Sequence, residues 1–175
     1  MLRAAIKQSQ RIAALSKPRV SIAAPICFQQ RTIITLTEKK YTAEALAEGA
    51  GRNGSVKSLG DAEAPLSLKL STPKTLGGPG DGQNPEQLFA MGYASCFLGA
   101  LQLVAAKAGK KEAAAKAKIH TAVHLGVPEG MEGFGVNVDI KVQGVDDEAL
   151  IQAAHEFCPY SRVMRHGAKV TVSKA

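Results

Sequence analysis

Cysteine, arginine and carboxylate side chains are the groups in this chain whose types and positions could do redox chemistry. Three cysteines are present, Cys27, Cys96 and Cys158. A thiolate attacks peroxides and disulfides, whereas a thiol enclosed by apolar atoms behaves as a small inert hydrophobe. Cys96 lies in a long uncharged stretch, where the inert outcome is the ordinary one. Cys158 precedes Pro159, which disfavours helical geometry in the residue before it. It therefore stands at a helix break or caps a short helix starting at Pro159, and a helix dipole would then lower its thiol pKa. Arg52 sits in the glycine-rich turn Glu48-Gly49-Ala50-Gly51-Arg52-Asn53-Gly54. A guanidinium held there beside a thiolate would favour the nucleophilic form, although a solvated loop arginine is the commoner role. Glu86, early in a helix, complements the dipole or anchors Arg52 in a bidentate pair.

Spacing limits how these groups can meet. Glu86 and Cys96 are ten residues apart, about 15 Å along a continuous helix. A site using both needs a broken helix or a second subunit, so the spacing points to a dimer. The histidines are weaker candidates. His120 and His124 share one strand face, where structural or exposed roles dominate. His155 precedes Cys158 by three residues, so a Cys–His hydrolase dyad is conceivable, but no nucleophile motif or oxyanion loop accompanies it. No CxxC or HExxH pattern is present, and no zinc site is expected.

The formal charge of +7 would suit a nucleic-acid or membrane partner if it were spread over the fold. It is not. Arg3, Lys7, Arg11, Lys17, Arg19 and Arg31 precede the first acid, Glu38, and leave 16 basic against 15 acidic residues in the rest. No basic stripe or aromatic platform remains for nucleic acid. Residues 1–37 read instead as a mitochondrial presequence: acid-free, Ser-containing and roughly amphipathic, with Leu2, Ile6, Ile12 and Ala13 among the cations. Cleavage is expected between about Arg19 and Thr37. Cys27 would leave with it, so the expected mature domain, 38–175, keeps two cysteines. Two thiols cannot staple a small secreted fold.

The elements that must position these groups follow from pattern. Tyr41–Ala47, Ser55–Ser58 and Leu66–Leu70 read as a three-strand meander. Asn84-Pro85-Glu86-Gln87 is a helix start, with Asn84 as cap, Pro85 in the first turn and Gln87 closing a capping box. The next 19 residues, Leu88–Ala106, carry no charge. That length could span a bilayer. With Gly92, Ser95, Gly99 and Gln102 inside it and no second such stretch, it reads as the central buried helix of a soluble domain. Ile119–Val127 and Phe134–Val142 alternate as two further strands. A helix opens at Asp146-Asp147-Glu148 and runs toward Cys158, and a short strand is expected at Lys169–Val172. The sum is an α+β domain of antiparallel sheet packed on helices.

Several long motifs now stand together: Gly51-Arg52-Asn53-Gly54, Leu70-Ser71-Thr72-Pro73-Lys74 with Leu76-Gly77-Gly78, the run Asn84 to Phe97, and Cys158-Pro159-Tyr160-Ser161. Together they resemble the organic hydroperoxide resistance proteins of the OsmC/Ohr family from Tyr41 to the C-terminus. The resemblance implies an intertwined homodimer in which antiparallel sheets pack around two central helices. It implies that Cys96 is the peroxidatic and Cys158 the resolving cysteine, with Arg52 stabilising the Cys96 thiolate and Glu86 holding Arg52. It further implies reduction of alkyl and fatty-acid hydroperoxides without metal, haem or flavin, the disulfide being recycled by a dithiol such as a dihydrolipoyl group on a lipoylated protein. Phe89, Met91, Phe97 and Met131 could line an alkyl pocket. Around the second cysteine, Arg162-Val163-Met164-Arg165-His166 is more basic than in bacterial members, which bears on where the reductant docks. A broader OsmC-like peroxidase, a thiol–disulfide oxidoreductase and a non-catalytic redox sensor are the alternative readings.

Overall fold

The computed structural model describes residues 33–60 and 64–174. Cys27 and almost all of the expected presequence lie outside the described residues.

Strands β1 (Glu44–Glu48), β2 (Ser55–Leu59) and β3 (Ser67–Lys69) form the expected antiparallel meander, with Leu46 opposite Lys57 and Val56 opposite Leu68. Between β1 and β2 the chain reverses through one 3₁₀ turn, Gly51–Asn53. A side chain cannot be accommodated at Gly54: its Cβ would lie 2.2 Å from the Glu48 carbonyl oxygen. The turn carrying Arg52 is thus drawn tight by a residue without Cβ.

Helix α1 (Pro85–Lys107) begins as its first residues dictate. The Asn84 side chain accepts from the Gln87 backbone N–H, and Gln87 accepts from the Asn84 N–H, satisfying two donors that a helix start leaves open. Short α2 (Lys111–Ala114) follows, and then the hairpin β4 (Lys118–Gly126) and β5 (Gly135–Gln143). Alternate residues of β4 face inward, as period-two patterning requires. His120 and His124 fall on the outer face, bonded to Gln143 and Asp139.

Helix α3 (Glu148–Phe157) is capped by Asp147, and α4 (Pro159–His166) follows after a single residue, Cys158. That residue ends α3 and starts α4 with extended backbone, φ −61° and ψ 125°. Both roles read for it from Pro159 are therefore filled at once. Tyr93, Phe97, Leu101 and Ala105, spaced by one turn along α1, form a buried stripe. It packs with Val145, Leu150, Ala154 and Cys158, and partly buried Ile119, Val138, Ile140 and Val142 from the hairpin border it.

Two expectations change. No strand forms over Lys169–Val172. A lone bridge joins Ala168 to Ile34, and Val170 and Val172 are exposed. Their alternation fits a strand, yet among the described residues neither is paired with another strand of this chain. Within the single chain, moreover, α1 is covered along one stripe only, and Met91 and Leu103 on its other side remain 55% and 46% exposed.

Candidate active site

The four residues singled out for chemistry come together as two pairs. The first joins the 3₁₀ turn to the start of α1. Arg52 donates from Nη1 to Glu86 Oε1 at 3.1 Å and from Nη2 to Oε2 at 2.5 Å, a bidentate fork. Asn53 steadies the turn by accepting from the Thr72 N–H at 2.8 Å. The two bonds from Arg52 hold the Glu86 carboxyl below its ordinary range against the opposing effect of burial, so Glu86 is a carboxylate at neutral pH. Beside Glu86 opens a cleft of about 370 Å³ whose apolar wall includes Leu76, Ala90, Val123 and Leu125.

The second pair spans the core. Cys96, half-buried in mid-α1, has its Sγ 3.6 Å from Sγ of fully buried Cys158. Both are free thiols. Burial pushes the Cys96 thiol up, the Tyr160 backbone N–H draws it down, and neighbouring Cys158 pushes it up again. Tyr160 lies in the first turn of α4, so the helix that Cys158 starts aims a backbone donor at Cys96. Among the described residues no cation contributes to this balance. The expected closeness of Arg52 to Cys96 is absent within one chain, because α1 is unbroken from Pro85 to Lys107 and Glu86 sits about three turns before Cys96.

The four expected pocket residues part company. Phe89 is partly buried and faces Tyr160 at 6.0 Å between ring centres. Phe97, 2% exposed, packs in the core as part of the buried stripe of α1. Met91 lies on the uncovered side of α1, and Met131, 70% exposed, lies in the β4–β5 connection. Sequence reasoning missed Tyr93, Tyr160 and Ser161. Tyr93 lies one turn before Cys96 and forms an aromatic group with Phe89 and Tyr160. The spacing from Cys96 was the only available signal for it. The Cys–His dyad finds no support in the contacts, since His155 Nδ1 bonds Ser161 Oγ at 3.0 Å rather than either thiol.

The chain is similar to known proteins over most of its length. The profile described as OsmC-like protein matches residues 78–173. The chain belongs to the OsmC-like family. The organic hydroperoxide resistance protein of Xanthomonas axonopodis pv. citri is 44% identical over 139 residues, covering 77% of this chain and 94% of that one. Organic hydroperoxide resistance protein OhrB of Bacillus subtilis is 37% identical over 135 residues, covering 74% and 94%. Among solved structures, an organic hydroperoxide resistance protein from Legionella pneumophila superposes with a TM-score of 0.63 at 37% identity, covering 75% of this chain and 94% of that one. This family membership carries the α+β fold of antiparallel sheets and helices with it.

Proposed function

We propose that the chain is a cysteine peroxidase that reduces organic hydroperoxides, alkyl and fatty-acid ones included, to alcohols as an antioxidant defence. The observation that carries this reading is the thiol pair Cys96–Cys158, 3.6 Å apart, in a relative of organic hydroperoxide resistance proteins. The Cys96 thiolate attacks the distal peroxide oxygen. An S–O bond forms, the O–O bond breaks, and the alkoxide takes a proton and leaves as alcohol. Cys158 sulfur then attacks the resulting sulfenic acid, forming S–S while the hydroxyl departs with the Cys158 proton as water. A dithiol, for which a dihydrolipoyl group on a lipoylated protein is the proposed source, reduces the disulfide by two exchanges and becomes a cyclic disulfide. The cycle needs no metal, haem or flavin.

Among the described residues no cation stands beside Cys96, and one side of an apolar helix is left open. A homodimer answers both. A second copy laid against α1 would cover Met91 and Leu103 and bring its own Arg52–Glu86 fork to this chain's thiol pair. The guanidinium would then favour the thiolate and orient the hydroperoxide. The apolar cleft beside Glu86, with Phe89 and Met91, would receive the alkyl part. The acid-free N-terminal segment supports import into the mitochondrial matrix, where lipoylated proteins reside. Cleavage before Ile34 would retain the bridge from Ile34 to Ala168.

Steady-state assays with cumene and linoleic hydroperoxides, hydrogen peroxide for comparison, and dihydrolipoamide as reductant test the reading. Sustained turnover with preference for the organic substrates is expected, and Cys96→Ser should abolish it. A redox sensor would consume one equivalent and stop. Full activity of Cys96→Ser would overturn the assignment.

A further inference from the structure

A chain of two hydrogen bonds, one buried and one partly buried, links residues near the two thiols. Tyr93 Oη donates to Ser161 Oγ at 2.8 Å, and Ser161 Oγ lies 3.0 Å from His155 Nδ1. Ser161 is fully buried and Tyr93 nearly so. A serine hydroxyl has one hydrogen to give. Ser161 Oγ thus accepts from Tyr93 and shares its second bond with His155 Nδ1. The buried Tyr93 and Ser161 hydroxyls both have partners, as burial demands.

The three residues are placed with respect to the cysteines in a way that core packing alone does not require. Tyr93 precedes Cys96 by three residues on α1. His155 precedes Cys158 by three residues on α3, and Ser161 follows it by three on α4. Each is therefore about one helical turn from a reacting sulfur. The His155–Ser161 bond crosses the break between α3 and α4, whose only joint is Cys158. The Tyr93–Ser161 bond ties that joint to α1. The Cys158 backbone bonds once into each helix, its N–H donating to the Ala154 carbonyl at 2.8 Å and its carbonyl accepting from the Arg162 N–H at 3.0 Å, and the two side-chain bonds add a tie across the joint and a tie from the joint to α1.

Disulfide closure makes this placement matter. The sulfurs must shorten from 3.6 Å to a bond of about 2.05 Å. Attack of Cys96 on a peroxide forms no bond to Cys158. We propose that Tyr93, Ser161 and His155 are positioning residues for the resolving step: they hold the α3–α4 joint so that Cys158 meets the Cys96 sulfenic acid before more peroxide does. The proposal rests on the peroxidase reading above and concerns only its second step.

The test follows both steps on one enzyme. Peroxide consumption in the first turnover reports attack by Cys96. Trapping with a dimedone-type reagent and intact mass report sulfenic acid lifetime, disulfide and overoxidised Cys96. Tyr93→Phe removes a hydroxyl and keeps the ring, and Ser161→Ala removes the central group. Both should leave first-turnover consumption within about twofold and slow disulfide closure by roughly tenfold or more, the scale set by losing a buried hydrogen bond and stranding its partner. The overoxidised fraction should rise accordingly. His155→Asn, whose amide can stand in Nδ1's place, should close faster than His155→Leu. Closure at the wild-type rate in folded Tyr93→Phe and Ser161→Ala would overturn the proposal. So would an equal slowing of both steps, which marks a general structural role. A failure of the underlying reading would be distinct, because Cys96→Ser protein would still consume hydroperoxide.

Discussion

Replacing Cys158 with serine isolates the contribution of its position. In the folded chain the Cys158 sulfur, proposed to resolve, is 3.6 Å from that of Cys96, at the edge of the near-attack range of about 3–3.5 Å. Well-oriented intramolecular reactions reach effective concentrations of about 10⁵ M at the low end. An external monothiol at about 1 mM is roughly 10⁸-fold more dilute, and even a pair reaching about a ten-thousandth of the ideal would keep roughly a 10⁴-fold advantage. Cys158→Ser should therefore form Cys96 sulfenic acid at nearly the native rate and then hold it, with the lifetime extended by at least roughly 10⁴ in the presence of about 1 mM monothiol. Excess hydroperoxide should drive that species on to sulfinic acid, a state that ordinary thiols do not reverse. Stopped-flow mixing with one and with several equivalents, followed by trapping and intact mass, gives both readings. A sulfenic acid lifetime in Cys158→Ser equal to that of the native enzyme would refute the reasoning, because the 3.6 Å separation would then confer no kinetic advantage.

Three further outcomes are expected. Arg52→Ala should raise the Cys96 thiol pKa in the dimer by between one and about three units, the shift an opposite charge produces at close range; alkylation rate against pH measures it, and an unchanged titration contradicts the role given to Arg52. The Glu86 carboxyl is depressed in the folded chain, first by its bonds from Arg52. The stability it contributes is thus present above the unfolded value of about 4.3 and lost as pH falls through the folded one. Because the Arg52 side chain is 40% exposed, the stability gap between native protein and Glu86→Gln at neutral pH should be no more than about 1 kcal/mol, and urea unfolding at acid pH should find it narrowed. Phe97→Ala, which empties a core position, should cost about 3–5 kcal/mol in chemical denaturation; a stable variant with altered substrate preference would return Phe97 to the pocket.

Much of the fold was legible because its signals are local. The capping box Asn84–Gln87 is formed by residues three apart, and the β4–β5 hairpin declares its period over nine residues in each strand. Val170 and Val172 show the reverse case. Their alternation is equally local, but a strand also needs a partner edge, which depends on what the rest of the fold leaves unpaired. The Cys158-Pro159 step announced a break, and the structure adds that the break is a single residue shared by two helices. The candidate site was legible as residue types through family motifs, whereas its geometry was not. Arg52 and Glu86 are 34 positions apart, Tyr93 and Ser161 are 68, and no periodicity links residues joined only by packing. Whether Phe97 faces core or pocket was hidden in the sequence for a related reason. Aromatic residues flanking a cysteine look alike in sequence, and only the phase of α1 separates the one facing the core from its neighbours.

The unbroken course of α1 has a genetic consequence. One rigid rod carries Glu86 near its start and Cys96 in its middle, so a chain cannot fold back to complete its own site. In the proposed symmetric pair, the fork of each copy would serve the thiols of the other. A chain lacking Arg52 and a chain lacking Cys96, each inactive alone, would assemble one intact centre when they meet. Defects in the two halves of the site should complement each other in a cell carrying both alleles, whereas two defects in the same half should not.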